Sequence, residues 1–148
     1  MNLPSTRRER GFTLVELMIT VSVAGVLSSF ALPSFETQLQ KARRSDVLVA
    51  TMQVQAAQER FRGNVASYGS LPEIGVAASS ANGHYRLTLA AVTADGYELV
   101  ATAAGAQGRD AACRHMTLRS HRMALLHATG PDATLGNPAE LNRKCWNL

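Results

Sequence analysis

The chain has 148 residues, 46% of them hydrophobic and 18% charged, with a formal net charge of +4 and two cysteines. That length holds one membrane segment and one head domain of roughly 100 residues, which would be marginal on burial alone. Arg7, Arg8 and Arg10 precede residue 12 and leave twelve basic against nine acidic residues from position 34 onward. So mild an excess points only weakly to nucleic acid.

Residues 1–11 are short and polar, with their three arginines just ahead of an apolar run at 12–32 whose single charge is Glu16. The run is long enough to cross a hydrocarbon core of roughly 30 Å as a helix. Basic residues on its amino-terminal side hold that end in the cytoplasm and send the rest of the chain across. A carboxylate at membrane depth costs on the order of 2.5–3.5 kcal/mol, so Glu16 calls for a functional reason, unless it merely snorkels at the helix end. An ordinary secretory signal would be cut after the apolar run, where Ser28-Ser29-Phe30-Ala31 offers small residues. Here the small residue, Gly11, comes before it.

Gly11-Phe12-Thr13-Leu14-Val15-Glu16-Leu17 resembles the type IV prepilin signal motif. The resemblance implies cleavage between Gly11 and Phe12 by a prepilin peptidase, which then methylates the new amine of Phe12. The apolar segment is retained as membrane anchor and assembly helix. The implied fold is α+β: a long amino-terminal helix on a small antiparallel sheet with a disulfide-bounded carboxy-terminal region. In that fold residues 1–11 are leader, 12–33 the transmembrane and assembly half of the helix, and 34–62 its amphipathic half. Residues 63–83 connect to the sheet and carboxy-terminal region at 84–148. Glu16 would pair with the Phe12 amine of a neighbouring subunit, where low dielectric strengthens such a pair and sets axial register. Gly25 and Pro33 sit where pilins carry helix-breaking residues; each weakens a helix, and Ser28 and Ser29 offer partners to freed carbonyls.

From 34 to 62 the pattern turns amphipathic. Val47, Ala50, Val54, Ala57 and Phe61 form one apolar seam, and Lys41, Arg44, Gln55, Gln58, Glu59 and Arg62 read as the solvated face. Lys41, Arg43 and Arg44 read as solubilising charges or as contacts to anionic lipid. Gly63-Asn64 is a helix stop. Residues 64–82 read as loop. Tyr85, Leu87 and Leu89, then Tyr97, Leu99 and Ala101, alternate as two strands of a hairpin laid on the seam. Its turn is Thr93-Ala94-Asp95-Gly96, with Gly96 placed for a positive φ. Met116 and Leu118 mark a third strand and 123–127 a fourth; after Gly130-Pro131-Asp132 the remainder reads as irregular.

An even pair of cysteines beyond a membrane segment suggests a disulfide between Cys113 and Cys145, against two free thiols in a cytoplasmic protein. The order of hairpin, Ala-Ala-Cys, strand and terminal Cys-Trp resembles the PilE-type minor pilins in particular. The family resemblance implies a pilus subunit taking part in assembly, adhesion, twitching motility or DNA uptake, without cofactor or metal. Its partners would be other pilin subunits, the prepilin peptidase/methyltransferase, an inner-membrane assembly platform and the inner membrane. It would sit in that membrane with a periplasmic head, then in an extracellular pilus. A pseudopilin of type II secretion is the alternative within the fold. In function the alternative is a DNA receptor for natural transformation, contacting phosphate through Arg114, Arg119, Arg122, Arg143 and Lys144 and stacking a base on Trp146. Cys113, His115, His121 and Cys145 lack zinc-ligand spacing, and no catalytic constellation has supporting context, so no enzyme is expected.

Overall fold

The computed structural model describes residues 11–122, 124–134 and 137–146, apart from the side chains at 32 and 33. The leader cations Arg7, Arg8 and Arg10, and Met123, lie outside the described residues. The chain divides into two compact units, Met1–Gln38 and Leu39–Leu148. A 49-residue helix, α1 (Leu14–Arg62), contributes to both.

In the first unit every side chain described is exposed. The most apolar 18-residue window of α1 has a mean hydropathy of 1.9 and no buried residue, and by length and composition it can cross a membrane. Its hydroxyls are already satisfied. Thr20, Ser22, Ser28 and Ser29 donate to the carbonyls of Leu17, Met18, Ala24 and Val26 at 2.7–2.8 Å. Gly25 and Pro33, each of which weakens a helix, lie within α1 without ending it. Pro33 leaves the Ser29 carbonyl without its N–H, yet the turns on either side propagate the helix, and one glycine costs only about 1 kcal/mol.

The second unit is a head. Strands β1 (Tyr85–Ala90), β2 (Gly96–Ala103), β3 (His115–His121) and β4 (Ala124–Gly130) form an antiparallel sheet in sequence order. Alternation puts Tyr85, Leu87, Leu99, Ala101, Met116 and Leu118 on one face, where they are buried with Val47, Ala50 and Val54 of α1. Each large apolar side chain so buried is worth about 1.5–3 kcal/mol. Register is direct: Leu87 faces Ala101, which faces Met116, and Leu89 faces Leu99, which faces Leu118. The loop from 63 to 84 is held to α1 at two points. The Gln58 amide donates to the Gly69 carbonyl at 2.7 Å and accepts from its N–H at 2.9 Å. The Asp46 carboxylate accepts from Ser80 Oγ, from the Asn82 backbone and amide, and from the His84 N–H.

Four expectations are corrected. Arg44 and Gln58 are not on a solvated face; they are 7% and 0% exposed because their polar ends find partners inside the head. Gly96 does not take a positive φ. Its requirement is room, since a Cβ there would lie 2.1 Å from the Ser120 carbonyl oxygen. The tail is not wholly irregular, because Ala139–Trp146 forms a helix, α2. And Trp146 is buried, its indole N–H donating to the Ala128 carbonyl at 3.1 Å and its ring edge-to-face with His127, so it offers no stacking platform.

Cys113 and Cys145 are joined, with Cα atoms 5.7 Å apart across 32 residues of sequence. Replacing both by Ala costs about 3–4 kcal/mol of loop-closure stabilisation, read as a lower urea midpoint by circular dichroism; an unchanged midpoint would contradict it. For Asp46, burial alone would raise the pKa, but the hydrogen bonds from Ser80, Asn82 and His84 together hold it below 3.8. The unfolded chain therefore takes up this proton first as the pH falls. The stabilisation is complete above the unfolded value and disappears as the pH drops through the lower folded one. Asp46→Asn is expected to destabilise the head at neutral pH and to flatten its acid limb in pH-resolved urea titrations.

Candidate functional site

Two regions carry the residues singled out from the sequence, one in each unit. In the first, Gly11, Phe12 and Thr13 precede the helix, and Phe12 is 82% exposed. Thr13 caps α1: its Oγ1 accepts from the Glu16 N–H at 3.2 Å and its carbonyl from the Leu17 N–H at 3.2 Å. The Gly11–Phe12 bond lies in non-helical backbone before the cap, and Glu16 lies in the first turn, where the helix dipole favours a carboxylate. The signal for this cap is the Thr-x-x-Glu spacing of Thr13 and Glu16, the pattern of a capping box, which lies inside the signal motif.

In the second unit the disulfide decides which cations meet. Arg114 follows Cys113 and Lys144 precedes Cys145, so the bond that holds the two cysteines also brings exposed Arg114, Arg143 and Lys144 to one end of the head. Arg114 Nε donates to the Gly108 carbonyl at 3.2 Å. Arg119 and Arg122 belong elsewhere. Arg114 and Arg122 flank opposite ends of β3, roughly 25 Å apart in extended backbone. Arg119 gives two hydrogen bonds, 2.8 and 2.6 Å, to one oxygen of Glu98, its cross-strand partner. Arg122 lies 3.9 Å from Asp95. Both therefore face a carboxylate that competes with any external anion. The five cations do not form a single patch.

What anchors the first cluster is a set of contacts between residues far apart in the chain. Arg44 of α1 holds Asp110 through two bonds, Nε to Oδ2 at 2.7 Å and Nη2 to Oδ1 at 3.0 Å, and its Nη1 reaches the Lys144 carbonyl at 3.3 Å. Gln107 joins them, its amide within 3.2 Å of Asp110, the Gln40 carbonyl and the Tyr85 hydroxyl. Burial pushes the Tyr85 phenol up to about 12, so it stays a neutral hydroxyl, here accepting from the Gln107 amide. The cysteines, being oxidised, offer no thiolate, and His115 and His121 stand at the two ends of β3.

Comparison with known proteins matches both regions. A family model of the prokaryotic N-terminal methylation motif covers residues 6–32. A second, described as type IV minor pilin ComP, DNA uptake sequence receptor, covers residues 33–117. The chain is 35% identical over 86 residues to the type IV major pilin protein PilA of Myxococcus xanthus, covering 57% of this chain and 39% of that protein. It is 36% identical over 73 residues to a fimbrial protein of Neisseria meningitidis, covering 49% and 43%. With a type IV major fimbrial protein FimA of Dichelobacter nodosus the identity is 31% over 100 residues, covering 66% and 61%. The chain thus spans about 40–60% of the length of these relatives. With the capped amino-terminal motif, the apolar helix and the disulfide-tied sheet, these matches establish that the chain belongs to the type IV pilin family.

Proposed function

We propose that the protein is a minor subunit of a type IV pilus that binds DNA through its head during uptake. The observation that carries this reading is the match of residues 33–117, more than half the chain, to the DNA-uptake receptor pilins. The site that supports it is the cluster Arg114, Arg143 and Lys144 at the disulfide. Three exposed cations suit phosphate, and with Trp146 buried the contact is to backbone rather than to a stacked base. On this reading a prepilin peptidase cuts after Gly11 and methylates Phe12. The apolar helix then holds the subunit in the inner membrane, head outward, until an assembly platform moves it into the extracellular filament. Glu16 guides that step by pairing with the Phe12 amine of a neighbour. Adhesion and twitching motility would follow from membership of the filament. A type II secretion pseudopilin fits less well, because of the carboxy-terminal disulfide. No step asks the chain to act as an enzyme.

Glu16→Ala is expected to leave the processed chain in the membrane fraction and to remove it from sheared pili; normal incorporation would refute the pairing. Duplex DNA is expected to be retarded by the detergent-solubilised chain at low salt, with a log–log salt slope of about −2.7 if the three cations each neutralise one phosphate. Replacing Arg114, Arg143 and Lys144 together by Ala abolishes the retardation, whereas Arg119→Ala leaves it nearly intact. Absence of binding at low salt would remove the DNA reading and leave a pilin of structural role.

A further inference from the structure

The chain has two lysines, Lys41 and Lys144, and the structure gathers both at the turn of α1 where the head begins. Lys41 and Arg44 are three positions apart and so share a face of the helix. Arg44 donates to the Lys144 carbonyl at 3.3 Å, which brings the last turn of α2 against that face. One residue before Lys41, the Gln40 carbonyl accepts from the Gln107 amide at 3.2 Å. Gly108, next in the chain after Gln107, accepts from Arg114 Nε at 3.2 Å. Lys41, Arg114, Arg143 and Lys144 therefore converge on residues 40–44. All four are exposed, and Arg43 stands half-buried on the same turn.

Little offsets this charge. Asp110 is buried and spent on Arg44, Asp46 accepts from Ser80, Asn82 and His84, and Glu140 stands one turn before Lys144 on α2. Arg119 and Arg122, by contrast, face Glu98 and Asp95. The basic turn also has a fixed place in the sequence. Lys41 follows Leu32, the last residue of the apolar run, by nine positions, no more than about 32 Å of chain however it runs. With that run across a bilayer, these cations are tethered within reach of the lipid headgroups on the side where the head emerges. A tethered contact needs little affinity of its own, because the linker keeps the local concentration high. Each Lys or Arg held beside an anionic leaflet strengthens the attraction about fivefold.

We propose that the turn at residues 40–44 is a docking surface for anionic lipid, with Lys41, Arg114, Arg143 and Lys144 on the headgroups while the apolar helix is in the bilayer. The docking does not need the DNA reading above. Where that reading holds, lipid occupies Arg114, Arg143 and Lys144 first, and they open to DNA once the subunit leaves the membrane; this consequence alone rests on it.

The two lysines make the surface readable by amine acylation and mass spectrometry. The full chain is placed in nanodiscs of phosphatidylcholine alone or of phosphatidylcholine and phosphatidylglycerol in equal parts. At low salt, Lys41 and Lys144 are expected to react about fivefold more slowly in the anionic discs. The difference should vanish at about 1 M salt, where the screening length is about 3 Å. Arg122→Lys supplies a reference amine at the opposite end of β3 from Arg114, and it should react alike in both discs. Replacing Arg114 and Arg143 together by Ala should release most of the protection while the urea midpoint stays near that of the wild type. Equal lysine rates in the two discs, protection that survives 1 M salt, or equal slowing of the reference amine would overturn the proposal. In neutral discs, duplex DNA at low salt should slow Lys144 as well. If anionic lipid protects Lys144 and DNA does not, the docking stands and the DNA reading falls.

Discussion

The head depends on one buried ion pair. Arg44 and Asp110, 66 residues apart in sequence, meet with both partners nearly excluded from water. Neither charge is tolerable there alone; breaking such a pair by removing one side costs about 3–5 kcal/mol. Asp110 lies between two short 3-10 turns at Gly105–Arg109 and Ala111–Cys113, so the pair fixes the start of the disulfide-bounded segment on α1. The bond from Arg44 to the Lys144 carbonyl fixes its end. The cystine closes the same segment covalently. An ionic tie and a covalent tie thus converge on the turn that carries Arg114 and the helix that carries Arg143 and Lys144.

Apolar contacts would hold α1 on the sheet without choosing how far it slides. Val47, Ala50 and Val54 supply that non-directional adhesion. Direction comes from three polar residues interleaved with them. Arg44 takes the disulfide region, Asp46 takes the stretch from Ser80 to His84, and Gln58 takes Gly69. Each captures a different loop at a different height on the helix. A helix shifted by one turn would leave at least one of these groups buried and unpaired. Polar specificity, laid over apolar adhesion, therefore sets the register of helix against loops.

What the sequence disclosed follows from how local each feature is. The motif from Gly11 to Leu17, the apolar run and the alternation of Tyr85, Leu87, Leu99, Met116 and Leu118 are short-range patterns, and they led to the fold. Cys113 and Cys145 could be paired because there were only two. Arg44 and Gln58 were misplaced because amphipathic patterning treats every charged or amide side chain as solvated, while their partners lie 66 and 11 positions away. Gly96 was given a conformational reason when its reason was the neighbouring strand, which a single strand's sequence does not contain. α2 is eight residues long, too short for a periodic signal to rise above the irregular segment around it. The cations read as one group from their spacing in the chain were sorted into two by the length of β3.

The four self-bonded hydroxyls of the apolar helix bear on how it would change surroundings in the assembly proposed above. Because Thr20, Ser22, Ser28 and Ser29 give their protons to their own backbone, these groups ask nothing of a neighbour. Apart from Glu16, that surface looks much the same to an acyl chain and to the flank of another helix. Exchange of one for the other is then close to iso-energetic along most of its length, and no donor is stranded midway. If the chain assembles as proposed, the side-chain difference between the two surroundings is concentrated in a single carboxylate near one end, and the choice between dispersed and polymerised forms would be governed at a point and not along a surface.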